Sequence, residues 1–447
     1  MSLTAIETVK ILLETAWRYL LVTLFSLVRV VYVKVQRMYW RFNGTLQQLE
    51  ESVLPENYER CVQVLDVLFH HAFDWSYTTV VGDEFLLAHN RFESPFYIID
   101  NDHVTLLTLT QTHAVFTEGR DRNIQVWRTQ YGAFLKLAQI PNCCRLLFVP
   151  LGAFHRLSET VGDPDATLVF LHSTGRCGST LVVQMMNETD EIVAISEPEA
   201  INTLFYPQQQ NVVGLPIDQL RKDVVRLVCR PFKTIRPRAY LVKLPSFHAR
   251  HIGLYQELFP NCRQLFMYRN AVPSIRSQYR MIMGMLIART RVALTPLLPD
   301  RLKRCLWVSV GVLDERFFCE DTFKDVRLFG LGMLIEAIVY YLQSRQKGFA
   351  IEAIRYEDIV TDPKYVAKRI LKLCGASDNL LERTLQGMKA DSQRSSSFAK
   401  TAVENYHCPE FDPEFRKSAN RLFRNHELPE LDEELLLEGT ISQRNSS

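Results

Sequence analysis

The run Thr167-Leu168-Val169-Phe170-Leu171, followed by His172-Ser173-Thr174-Gly175-Arg176-Cys177-Gly178-Ser179-Thr180-Leu181, constrains this chain more than any other segment. It reads as a buried strand, a tight glycine loop and the start of a helix. N–H groups at a helix N-terminus lack an intrahelical acceptor, and the helix dipole adds partial positive charge there, so the turn is a place for an anion. Gly175 and Gly178 remove Cβ atoms where the backbone turns sharply or nears a ligand, while Ser179 and Thr180 bring hydroxyl donors into the first turn. Read as packing alone, the same loop is only a turn, so a second element must agree.

An ATPase phosphate loop would place lysine directly after Gly178, reaching the outer phosphates. This chain has none there, and Arg176 is the available cation. The order Arg176-Cys177-Gly178-Ser179-Thr180-Leu181 resembles the 5′-phosphosulfate loop of sulfotransferases that use 3′-phosphoadenosine 5′-phosphosulfate (PAPS). An arginine at this place looks more like their membrane-bound carbohydrate and tyrosylprotein branch than the soluble branch. The resemblance implies binding of PAPS by Gly175, Arg176, Cys177, Gly178, Ser179 and Thr180, as co-substrate and without a metal.

Two further elements agree with it. Arg263 to Tyr268 reads as a buried strand ending on Arg269, and Pro273 suits the start of the helix that follows. The family's 3′-phosphate site pairs an arginine at a strand end with a serine eight residues on, which is the spacing of Arg269 and Ser277. Arginine forks to two phosphate oxygens and serine adds a donor, so the pair suits a phosphate. Ile351 to Val360 reads as a strand leading to a turn, and Asp362-Pro363 then opens a helix that Gly375 stops. The string from Arg355 to Pro363 resembles the last strand-to-helix unit of sulfotransferases; Tyr356, Glu357 and Asp358 read there as structural.

The resemblance covers roughly residues 165 to 400 and implies a three-layer α/β domain with a central parallel sheet over 161–400. Its reaction moves a sulfuryl group to a hydroxyl or amine of a carbohydrate, protein or lipid acceptor. Glu197 occupies the place of the glutamate base of tyrosylprotein sulfotransferases by its offset from Arg176; equally, it reads as a carboxylate in a helix's first turn. Lys243, at the end of the strand Ala239 to Val242, is a donor contact, and His248 or His251 an alternative base. Two rival readings stand beside this one: a nucleotide kinase or NTPase with a variant loop, and a non-catalytic membrane-associated protein that retains the nucleotide site.

Composition limits the rest. With 52 basic and 50 acidic residues the net charge is +2, so nothing in bulk electrostatics points to nucleic acid, and any anion site must be local. The ten cysteines show no C-x-x-C pair, so a zinc site is not expected. Cys177 lies where a helix dipole favours thiolate, but it reads first as a small loop residue. Asn43, Asn187 and Asn445 head glycosylation-type sequons.

Residues 1–45 are expected to form an apolar helix, with 8–41 as the membrane contact. Ile11 to Val33 is apolar but contains Glu14, Arg18 and Arg29, and a central arginine costs about 2.5 to 3.5 kcal/mol in a spanning helix. Lys10, Glu14, Arg18, Ser26 and Arg29 form a polar stripe opposite Leu13, Leu20, Leu24, Leu27 and Val31, which fits an interfacial helix as well as a spanning one. A buried terminal helix is the third reading. If the segment spans, the resemblance implies a Golgi lumen location; otherwise the segment lies on a cytoplasmic membrane surface.

Residues 46–160 read as a separate α+β region of unknown role: a helix from Tyr58 to His71, then strands at Tyr77 to Val81, Phe96 to Asp100, Val104 to Thr110 and Arg145 to Leu151. Met281 to Val312 reads as packed helices or as the cover of an acceptor pocket. Ser395 to Ser397 is a polar loop able to close over the nucleotide. Residues 401–447 read as a helical, partly acidic tail, solvated or peripheral.

Overall fold

The computed structural model describes residues 4–71, 82–205, 215–308, 314–318, 320–394 and 396–441. The predicted strand at Tyr77 to Val81 and the Asn445 sequon lie outside them. Two five-stranded sheets organise the chain. The first is antiparallel, built from β1 (Val62–His70), β2 (Phe85–Glu93), β3 (Val104–Leu109), β4 (His113–Gly119) and β5 (Cys143–Pro150), in the order β2-β1-β5-β4-β3. The second contains β6 (Thr167–Ser173), β7 (Ile192–Ser196), β8 (Ala239–Lys243), β9 (Arg263–Tyr268) and β10 (Ile351–Arg355), all parallel, in the order β10-β9-β6-β8-β7.

That second order decides where a ligand can sit. From β6 the chain moves outward to β7 and back to β8 on one side, then crosses to β9 and β10 on the other. The connections therefore part at the carboxyl end of β6, and such a switch point leaves a crevice for ligands.

The helices that matter for the site and its surroundings are α1 (Ala5–Phe42), α2 (Ser179–Asn187), α3 (Ala271–Gly284), α4 (Leu286–Leu294), α5 (Val326–Gln346), α6 (Pro363–Cys374) and α7 (Pro413–Asn425). Helix α6 begins and ends as the sequence requires: the Asp362 side chain accepts from the amide of Tyr365, Pro363 sits in the first turn, and Gly375 closes it at φ +66°.

The two sheets share one core. Leu106, Leu147 and Phe154 from the antiparallel side pack in the same cluster as Leu168, Ile195 and Tyr240 from the parallel side. Arg230, almost fully buried, donates to the carbonyls of Asn101 and Val104 across that junction. The region 46–160 is thus α+β as expected, but its apolar face is buried against the second sheet.

Two local expectations are corrected. Tyr58 to His71 is not a helix: a short 3₁₀ turn over Pro55–Arg60 leads into β1. Register shifts in its pairing with β2, between Val64 and Leu65 and between Val67 and Phe69, break the strict alternation that marks a strand. Phe96–Asp100 is a helical turn, opened by Ser94-Pro95, where a proline favours a helix start. The Asn187 side chain is spent inside the protein, donating to the Trp127 carbonyl and accepting from the Ala194 amide, so this sequon is closed to a glycan.

The acidic tail is neither solvated nor peripheral. Leu428, Leu431, Leu435 and Leu437 are buried with Phe415 and Phe423 of α7 against Phe266 and Tyr341. The backbone of Gly439 and Ile441 bonds that of Ala353 at the free edge of β10. Its charges project outward while its leucines complete the core, which net charge alone conceals.

Helix α1 is the outlier in packing. Ile11 and Thr15 are buried against α4, where the Thr15 and Thr290 hydroxyls lie 2.6 Å apart. Arg29 donates to the Phe85 carbonyl and pairs with Asp83, Gln36 donates to the Leu87 carbonyl, and Trp40 is buried. Leu13, Leu20, Leu24, Leu27 and Val31 point away from the protein, each more than half exposed. Of the polar stripe, Arg29 meets the rest of the protein, Glu14 and Arg18 pair with each other at 3.1 Å, and Lys10 and Ser26 stay exposed. Both α1 and α5 are long and apolar enough to cross a membrane, but α5 is mostly core, whereas only 11% of the most apolar stretch of α1 is buried.

Candidate active site

The carboxyl ends of β6, β7, β8 and β9 meet at one cleft of about 930 Å³. The glycine loop forms its floor. Gly175 and Gly178 take φ +73° and +85°, backbone open to glycine at little cost, and Arg176 between them is also at positive φ, +52°. Gly178 is the N-cap of α2, and Ser179 and Thr180 form its first turn. A Cβ on Gly178 would lie 2.5 Å from the Tyr356 ring, so the glycine is required for contact as well as for conformation.

Tyr356, at the end of β10, joins two parts of the site. Its ring covers Gly178 and carries the Arg269 guanidinium 4.4 Å from its centroid. Arg269 and Ser277 both line the cleft, and the buried Nε of Arg269 has no hydrogen-bond partner. An orphaned guanidinium nitrogen beside a glycine loop is what an incoming anion would satisfy. Arg176 reaches the same place, donating from Nε to Ser277 Oγ at 3.1 Å.

Glu197 and Lys243 face each other across the ends of β7 and β8. The Glu197 amide donates to the Lys243 carbonyl at 2.8 Å, and the Lys243 ammonium pairs with Glu197 Oε1. Glu197 holds φ +48°, a costly conformation for a non-glycine residue that aims its side chain into the cleft. Lys243 is buried, so the carboxylate is its compensating charge. Behind them a second pair, Lys136 and buried Glu199, sits at 3.4 Å, and burial pushes the Glu199 carboxyl up to about 7.

The sequence of this chain matches the family model described as "Sulfotransferase domain" over residues 166–435. The protein belongs to the sulfotransferase family. No curated protein matches the chain. Similar solved structures include sulfotransferase STF9 from Mycobacterium avium, at 13% identity over 53% of this chain and 69% of that one, with a TM-score of 0.32. A sulfotransferase from Alicyclobacillus acidocaldarius is 14% identical over 60% of this chain and 93% of its own, with a TM-score of 0.32. The sulfotransferase domain of the Synechococcus PCC 7002 olefin synthase is 17% identical over 61% and 91%, with a TM-score of 0.27.

Of the residues singled out in the sequence, this sulfotransferase brings Gly175, Arg176, Gly178, Ser179, Thr180, Glu197, Lys243, Arg269 and Ser277 to the one cleft. Within the loop, Cys177 is the exception. Its side chain is wholly buried with Sγ near the Met267 carbonyl, and burial pushes its thiol up, so it packs beneath the loop and carries no thiolate. His248 is buried against the Tyr255 hydroxyl at 2.6 Å and held well below the ordinary histidine range by burial; burial likewise brings His251 down to about 3. Neither lines the cleft.

Gln393, Phe134 and Phe398 also line the cleft, and no motif in the sequence marks them. Gln393 donates to Thr180 Oγ1 at 2.9 Å, laying the segment after Met388 over the loop. Met281 and Met285 line the cleft, so the region after residue 281 covers the pocket at its start. Among the described residues, His155, Glu159 and Asp223 bring three possible metal-ligand atoms within 4.8 Å, but Arg226 pairs with Glu159 and Ser158 and Gln219 donate to Asp223.

Proposed function

We propose that this sulfotransferase moves a sulfuryl group from PAPS to an acceptor hydroxyl or amine, with Glu197 as the base. The observation that carries the reading is the convergence of Glu197 and Lys243 with the glycine loop, Arg269 and Ser277 on one cleft. The loop amides, Arg176 and the hydroxyls of Ser179 and Thr180 stabilise the phosphate that leaves as the sulfur–oxygen bond to it breaks. Arg269 and Ser277 hold the 3′-phosphate. The acceptor oxygen or nitrogen bonds to sulfur and gives its proton to Glu197 Oε2, since Lys243 occupies Oε1. The product is 3′-phosphoadenosine 5′-phosphate (PAP). A non-catalytic role is disfavoured by the strained Glu197 backbone, a cost with no return in a scaffold. Incubation with sulfur-labelled PAPS and a mixed acceptor library tests the reading; label transferred to an acceptor supports it, and failure to bind PAP refutes it.

The placement of α1 supports association with a membrane surface. An in-plane helix keeps Arg29 and Gln36 on their protein partners and gives the row from Leu13 to Val31 to lipid, whereas spanning would strip those bonds.

A further inference from the structure

Glu197 reaches the cleft from a backbone that does not hold itself. Its φ of +48° is costly, and the residues after Pro198 form one short helix, Glu199–Thr203, too brief to be stable alone. All of that helix is buried, and the antiparallel sheet and its helix grip both ends of it. At the first residue, Glu199 Oε2 lies 3.4 Å from the ammonium of Lys136, which is carried by the helix Leu135–Asn142. At the last, the Thr203 hydroxyl lies 3.1 Å from that of Thr108 on β3. The two grips form one body, because buried Gln139, on the same helix as Lys136, donates to the Leu106 carbonyl and the Thr105 hydroxyl at 2.9 Å each.

A buried ion pair is seldom the most stable filling for its site, since desolvation of two charges offsets their attraction and an apolar pair of similar volume often does as well. What it supplies is direction. Glu199 Oε1 is buried with no hydrogen-bond partner among the described residues, so the carboxylate is oriented through Oε2. Neither Lys136 nor Glu199 lines the cleft, so neither is placed to touch the donor. Phe134, two residues before Lys136, puts its ring 4.9 Å from the Lys243 ammonium, so the same turn also rests on the partner of Glu197. We infer that Lys136 and Glu199 are positioning residues for transfer: through their pair the region 46–160 holds the turn at Glu197 in the strained conformation that points its carboxylate into the cleft. The inference rests on the reading of Glu197 as the base.

The test compares four full-length variants with the parent: Lys136→Met, Glu199→Gln, Lys136→Met with Glu199→Leu, and Lys136→Arg. Measurements are made at pH 8, above the value of about 7 to which burial raises the Glu199 carboxyl, so that the pair is charged. Turnover is read as label moved from sulfur-labelled PAPS to a mixture of 1-naphthol, chitotriose and an acidic tyrosine peptide. The backbone is read by hydrogen exchange at the Glu197 amide, which donates to the Lys243 carbonyl. The first three variants should lower kcat about 10- to 100-fold and speed that exchange about tenfold, with the KM for PAPS and the affinity for PAP unchanged. Lys136→Arg keeps the pair and should stay within about threefold of the parent in both. The paired apolar variant should regain the melting temperature that the single changes lose while its turnover stays low, a split that a merely structural pair would not produce. Parental kcat or parental exchange in the shape-preserving Glu199→Gln, or in the paired apolar variant, overturns the inference. Should the parent label none of the three probes, exchange at Glu197 alone decides it. Failure of the unaltered protein to bind PAP overturns the sulfotransfer reading, and the exchange rates then still show whether the pair holds the turn.

Discussion

Arg176 and Ser277, 101 positions apart, are joined by a 3.1 Å hydrogen bond that ties the glycine loop to helix α3 before any ligand enters. The bond brings two proposed phosphate contacts to one edge of the cleft, with the orphaned Nε of Arg269 nearby. On the proposed reading PAP binds far better than ADP, because ADP leaves Arg269 and Ser277 without a 3′-phosphate. Charge-assisted bonds contribute about 1.5 to 3 kcal/mol each, so Arg269→Ala should weaken PAP about 10- to 150-fold and ADP far less. Calorimetry decides it: equal loss for both nucleotides removes the 3′-site assignment.

Glu197→Gln should lower turnover by about 10² to 10⁴ while PAP affinity stays nearly constant. The same change leaves the Lys243 ammonium buried without its counter-charge, so the melting temperature should fall. Adding Lys243→Met should recover the melting temperature but not the activity. Wild-type turnover in Glu197→Gln would assign the base to another residue.

Two glycines with nearly the same backbone separate strain from contact. Gly44 at φ +80° has open space where a Cβ would go, whereas Gly178 at φ +85° has the Tyr356 ring. Gly44→Ala should cost about 1 to 2 kcal/mol, the backbone part alone. Gly178→Ala should cost more, by roughly 1 to 3 kcal/mol of added overlap, and should also weaken PAP. Denaturant midpoints of the two variants compare them directly, and equal losses would mean that Tyr356 yields freely.

How far the sequence could be read follows from how local each signal is. The loop, the strand ends at Arg269 and Lys243, and the cap at Asp362 are each written within a few neighbouring residues, and these are the parts of the site that were legible. Strand β1 was not, because its register shifts disturb the period of two and leave a pattern resembling a helix. Gln393 and Phe398 reach the loop from more than two hundred positions away, and nothing near them in sequence marks that contact. The tail misled for a related reason: its acids and its core leucines occupy alternate faces of an irregular segment with no regular period.

Glu199 sets an expected pH dependence. Its folded value is pushed up from an ordinary 4.5 to about 7, first by burial, with Lys136 opposing. Between those values the folded protein holds more protons than the unfolded chain, so this group's contribution is complete below about pH 4.5 and is lost as pH rises through about 7. Glu336, also buried and raised to about 7, acts in the same direction. Melting temperatures of Glu199→Gln from pH 4.5 to 8 should therefore fall less steeply than those of the parent, without becoming flat. Parallel curves would show that Glu199 is ionised throughout.

The outward row of α1 gives the last expectation. Deleting residues 1–45 would also strip Ile11 and Thr15 from α4, whose preceding residue Met285 lines the cleft, so a deletion confounds folding with membrane binding. Leu20→Glu, Leu24→Lys and Leu27→Glu together change side chains that are each more than half exposed and leave the packed side of the helix alone. The triple variant should lose sedimentation with phospholipid vesicles while keeping the parent's melting temperature and PAP affinity, because the apolar face is what lipid would bury. Carbonate extraction of the unaltered protein separates the two membrane modes: release marks an in-plane helix and retention a span. A triple variant that still sediments fully with vesicles would take the membrane contact away from α1, and one that loses PAP affinity would make this face part of the folded unit.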